Sequence, residues 1–130
     1  MPQSALGAML QFLRELRGLS IRELARLADI DHAYIYRLEI GDKESPSDEV
    51  QAKLIRALKS DRREADMLKY VVEHPTTQTG LVAHVLKDKS IPFDVFSSAA
   101  SAVYRGAARP DYDKLIARVR RILDEEKDSG

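Results

Sequence analysis

The chain is predicted to be all-α, and three observations carry that reading. Apolar residues recur at three- and four-residue spacing throughout, while β-branched and aromatic residues never alternate over a strand's length. Helix-start residues stand ahead of the apolar runs (Ser20 with Glu23, Asp31, Ser45 or Ser47, Asp61 with Glu64, Asp111), and Gly18, Gly41 and Pro75 stand behind them. Finally, 44% of the 130 residues are hydrophobic and 32% are charged, which supplies both a core and a solvated surface.

In order along the chain, the first helix is expected from about Ser4 to Arg17. It buries Leu6, Met9, Leu10, Leu13 and Leu16. Ser20 and Glu23 then form a capping box for a short second helix whose apolar face is Leu24, Ala25 and Leu27. Ala28-Asp29-Ile30 makes a tight turn. Asp31 caps a third helix that buries Ile35 and Leu38 and stops at Gly41. Residues 41–45 are a polar loop. Ser45 or Ser47 caps the fourth helix, with Pro46 in its first turn and Val50, Leu54, Ile55 and Leu58 inside. The fifth runs from Asp61 to Pro75 on Ala65, Leu68, Val71 and Val72.

Residues 75–80, Pro-Thr-Thr-Gln-Thr-Gly, are the best linker candidate. Beyond it, Leu81, Val82, Val85 and Leu86 make a short helix. Pro92 starts another, with Phe93, Phe96, Ala99, Ala100, Val103 and Tyr104 on one face. Residues 105–110 form a loop. Asp111 caps a last helix on Tyr112, Leu115, Ile116, Val119, Ile122 and Leu123, and residues 125–130 are expected to fray. The expected organisation is a domain over 4–74, a linker over 75–80 and a helical region over 81–126.

Composition excludes several classes. No apolar run reaches the length of a membrane span, and the start of the chain lacks the pattern of a signal peptide. A cytoplasmic location without membrane association is the expectation. With no cysteine there is neither a disulfide framework nor a cysteine-based zinc site. No Ser/His/Asp order, P-loop or HExxH appears, so no enzyme and no cofactor are expected. His74 and His84 have no ligand at metal spacing and read as ordinary surface or edge residues. Net charge is zero, and residues 1–60 hold nine bases against nine acids. A nucleic-acid binder usually shows a basic excess. Balance of this kind suggests weak binding by one copy and useful affinity from two.

Residues 19–41 are the informative stretch. Two helices this short cannot stand alone, so they must sit in a small bundle. Their arrangement is a helix-turn-helix, in which the second helix enters the major groove of DNA. Leu19-Ser20, Glu23-Leu24-Ala25, Ile30-Asp31, Tyr34-Ile35, Arg37-Leu38-Glu39, Gly41 and Pro46-Ser47, ending in Leu54, Ala57 and Leu58, give the sequence its family likeness. Over residues 6–60 it resembles the XRE regulators, the group of the phage Cro and CI repressors. The resemblance implies a five-helix Cro/CI-type helix-turn-helix domain followed here by a small helical dimerisation region. It implies that His32, Ala33 and Tyr36 face base edges of double-stranded DNA. Side-chain chemistry agrees: His32 can donate to or accept from a purine, and the Ala33 methyl suits a thymine methyl. Phosphate contacts are expected from Arg22, Arg37, Lys43 and the Tyr34 hydroxyl, and from the start of the second helix at Ser20, whose free amides suit an anion. Tyr34 is equally suited to packing on the first helix. Glu39 reads as half of an internal ion pair, because a carboxylate repels phosphate. Arg14, Arg17 and Arg26 read either as contacts or as a solvated face.

Three positions depart from the family pattern. Ile21 stands where many relatives have a phosphate-binding Gln, Asp29 where the turn is usually Gly, and Asp42 where a base often follows the glycine. The fold tolerates these changes; contact strength does not benefit from them.

The tail is too small to be a comfortable monomeric core, and pairing with a second copy is the economical solution. The homodimer interface is expected at Phe93, Phe96, Val103, Leu115, Val119 and Ile122, or else on the fifth helix. Residues 105–121 carry six bases against two acids, either a phosphate-facing surface or a solvated helix face. Arg105-Gly106…Arg109-Pro110, with a helix ending Arg121-Ile122-Leu123, is also weakly similar to the Deinococcus-type DNA-damage-response repressors, whose tail a metallopeptidase cuts. That likeness marks Tyr104, Arg105 and Gly106 as a candidate cut site; the alternative is a plain connecting turn. The function expected is a homodimeric, sequence-specific repressor reading the groove with residues 31–40. The alternative is an antitoxin or adaptor whose tail grips a regulatory partner protein.

Overall fold

The computed structural model describes residues 3–42, 45–102 and 111–129. Among the described residues there are eight helices and no strand: α1 (Ala5–Leu16), α2 (Ile21–Ala28), α3 (His32–Ile40), α4 (Asp48–Ala57), α5 (Arg62–Glu73), α6 (Thr79–Lys87), α7 (Phe93–Ala102) and α8 (Tyr112–Ser129). Val103, Lys43 and the candidate cut site Tyr104, Arg105 and Gly106 lie outside the described residues.

The first five helices start where their caps dictate. Ser4, Ser20, Asp31, Ser47 and Asp61 each accept a backbone N–H of the first turn, and Ser20–Glu23 and Asp61–Glu64 are complete capping boxes. Ser47, not Ser45, caps α4. Pro46 therefore precedes the helix, where it is buried and its carbonyl accepts a hydrogen bond from the buried Gln51 side chain at 3.0 Å.

α1 is the central strut. It packs against α3, α5 and α6 and buries Leu6, Met9, Leu10 and Leu13. Gly7 is required where it stands. A methyl there would run into the carbonyl oxygen of Glu39 and lie 2.8 Å from that of Leu38, so the end of α3 can reach α1 only over a glycine. Leu16 does not join this row and is 52% exposed; the last turn instead aims Arg17 at the end of α4, where its Nε donates to the Leu58 carbonyl at 2.8 Å. Leu27 is likewise 56% exposed, because α2 meets α3 and α4 through Leu24, Ala25 and Ala28.

The C-terminal helices continue the same core. Buried residues run without a break from Ala5 through Phe96 and Ala99 to Val119. α6 begins at Thr79, so Thr79 and Gly80 of the expected linker are helical, and α6 lies directly on α1. Arg63 at the start of α5 donates one guanidinium nitrogen to the carbonyls of Val85, Asp88 and Ile91 at 2.9, 3.1 and 2.8 Å. It thereby closes the end of α6 and the turn into α7. α8 packs on α7 and is tied back by Tyr112 Oη to Gln78 Oε1 (2.8 Å), His84 Nε2 to Asp113 Oδ1 (3.2 Å) and Arg120 to the Ser90 carbonyl (2.9 Å). His84 thus stands at the edge of α8, facing Asp113. Against the fraying expected over 125–130, α8 is helical through Ser129, and Gly130 lies outside the described residues.

Candidate nucleic-acid interface

α2 and α3 are joined by the tight turn that the sequence leads one to expect. Asp29 takes the left-handed conformation, with φ 55° and ψ 50°, and its N–H and that of Ile30 close the end of α2. A short polar side chain tolerates this geometry less well than glycine does. Asp31 then caps α3 by accepting the Ala33 N–H at 3.0 Å, and Gly41 ends it at φ 81°.

Ile35, Leu38 and Glu39 are the buried positions of α3. The opposite side carries the expected base-reading residues: the His32 side chain is 49% exposed, Tyr36 is 52% exposed and Ala33 is half-buried between them. Arg37 lies on the same row as Ala33, one turn on, and its Nε donates to the Ala33 carbonyl at 3.3 Å. Arg37, expected at phosphate, is exposed on α3 in the same row as Ala33. Tyr34 is half-buried and packs against the core.

The start of α2 lies alongside. The Ser20 hydroxyl accepts the Glu23 N–H at 3.0 Å, and the Glu23 carboxylate accepts the Ser20 N–H at 3.1 Å. Those bonds hold the Glu23 carboxyl below its ordinary value, the backbone N–H first and the hydroxyl second. Ser20 is thus occupied as a cap, and the amides of Ile21 and Arg22, which have no partner within the helix, are the ones directed outward. An open groove of about 520 Å³ runs between the two helices, lined by Arg22, Ala25, Arg26, Asp29, Ile30, Asp31 and His32. Arg26, left open as a surface charge in the sequence, shares this groove with Arg22 one turn away. Two arginines face two aspartates there, which is the neutral charge balance of the chain reproduced at the interface.

The recognition helix is held from behind by an ion pair. Arg14 of α1 grips Glu39 with Nε to Oε2 at 2.7 Å and Nη2 to Oε1 at 3.0 Å, and its third nitrogen donates to the Leu19 carbonyl at 2.8 Å. The two side chains are 13% and 6% exposed. Arg14 is therefore not a solvated charge. Its hydrogen bond to Glu39 raises the guanidinium above its ordinary value, against a smaller opposing effect of burial. One residue pair thus fixes α3 to α1 and the entry of α2 to both.

Of the expected dimer residues, Phe96 is fully buried in its own chain and Val119 is 6% exposed, so both fill the core. Phe93 is half-buried and edge-on to Tyr70, with ring centres 6.1 Å apart. Leu115 is half-buried and Ile122 is 46% exposed.

Residues 5–68 match the family described as a helix-turn-helix domain. No curated protein matches the chain. No described helix is long and apolar enough to cross a membrane. With the capped α2, the tight turn at Asp29 and the exposed row of α3 in place, residues 5–68 are similar to a helix-turn-helix domain.

Proposed function

We propose that the chain is a homodimeric transcriptional repressor that reads double-stranded DNA with α3 in the major groove. The observation that carries this reading is the outward row His32, Ala33, Tyr36 and Arg37 on a helix buried on its other side and locked by Arg14–Glu39. Its work is binding, not catalysis. Base edges are met by His32, Ala33 and Tyr36, and backbone phosphates by Arg22, Arg26 and the first amides of α2. One copy offers a neutral groove, so occupancy of an operator depends on two copies bound together.

A second reading is an antitoxin or adaptor whose DNA binding is secondary to a protein partner. The two aspartates in the groove favour it. Gel-shift of the full chain on its own upstream DNA, across a salt series, separates the two. The repressor reading expects a specific complex that weakens steeply with salt, and His32→Ala should change sequence preference more than non-specific affinity. A complex indifferent to salt, or no complex, contradicts it.

A further inference from the structure

α8 carries its charges in two blocks of opposite sign. Between Tyr112 and Leu123 four bases stand against one acid; from Asp124 to Asp128 four acids stand against one base. The helix dipole does not account for these blocks, since an acid, Asp113, stands in the first turn and a base, Lys127, in the last. The helix is also one-sided. Ile116 and Val119 are turned into the core, where α8 packs on α7, while Leu115, Arg118, Ile122 and Glu125 follow one another at three- and four-residue spacing along an adjoining row. Ile122 in that row is 46% exposed, and Arg118 and Glu125 are exposed on either side of it.

We propose that this row is the self-association surface, and that a second copy of the chain lays its α8 antiparallel across it. The inference rests on the homodimer reading above and specifies where and in which direction the copies meet. A twofold axis close to Ile122 brings the isoleucines together and sets Arg118 of each copy beside Glu125 of the other. The basic half of one helix then covers the acidic half of its partner. A parallel pairing places bases on bases and acids on acids, so the charge order selects the antiparallel one.

Sedimentation equilibrium of the full chain tests this with Arg118→Glu, Glu125→Arg and the double variant, each checked for helix content by circular dichroism. Each single reversal should weaken the dimer by about tenfold, and the double should return to within about threefold of the wild type. A dimeric wild type whose single variants are unaffected, or whose double variant is as weak as the singles, overturns the α8 pairing and leaves the homodimer reading standing. A wild type that is monomeric at concentrations that saturate its operator overturns both.

Discussion

The two halves of this molecule are held together by different means. From α1 to α5 every helix begins with a side chain that caps it, so each start is written within three residues. In the C-terminal half α6 starts after Gln78, which makes no side-chain cap hydrogen bond, although Asp111 accepts the Lys114 N–H at 3.2 Å at the start of α8. The α6–α7 turn there is closed from a distance: Arg63 binds carbonyls 22 to 28 residues away, and Arg120 reaches Ser90 across 30. Local chemistry shapes the helix-turn-helix unit, and tertiary chemistry attaches the tail to it. Because α6 lies on α1 and α1 holds α3, whatever positions the tail also positions the recognition helix.

The largest effect that breaks this comparison is expected in the first half. Arg14→Ala leaves Glu39 buried without its partner and should cost about 3 kcal/mol, read by chemical denaturation. Arg63→Ala should cost about 2 kcal/mol, because three carbonyls at the α6–α7 turn lose one donor. Hydrogen exchange in that variant should rise at the end of α6 before it rises in α1. Asp29→Gly should stabilise the chain by about 1 kcal/mol, since the left-handed turn suits glycine. It also removes an acid from the α2–α3 groove, so DNA affinity should rise with it. The smallest effect is in pH. Glu23 is held below its ordinary 4.5 by the Ser20 backbone and hydroxyl, and Asp88 below its ordinary 3.8 by the Ser90 hydroxyl and backbone. A depressed carboxyl contributes its stability in full above its ordinary value and loses it as pH falls through the lower folded one. Ser20→Ala should therefore lose stability near neutral pH and show a shallower acid decline, in thermal melts taken between pH 6 and about pH 3.

The comparison also explains what was legible beforehand. The capping boxes at Ser20 and Asp61, the turn at Asp29 and the stop at Gly41 are local, and the helix-turn-helix follows from them. The internal role of Glu39 was readable because a carboxylate is ill-suited to DNA; that Arg14 is its partner was not, since 25 residues separate them. Leu16 and Leu27 obey the helical spacing but lie where no neighbouring helix covers them, and spacing alone does not say which turns are covered. Phe96 and Val119 read as interface because the tail looked too small for a core; Tyr70 of α5 packs on Phe96, and α8, which carries Val119, packs on α7. Gly7 gave no signal at all, because its reason is the backbone of α3 more than thirty residues away.

Selection of bound sequences from a pool of randomised duplexes tests the central claim most directly. The full chain should enrich a twofold-symmetric site whose half-sites are about 34 Å apart, one helical turn. His32→Ala should change the preferred base within each half-site and leave the spacing intact. Enrichment of a single unpaired half-site, or none above the starting pool, would contradict a homodimer that reads DNA through α3.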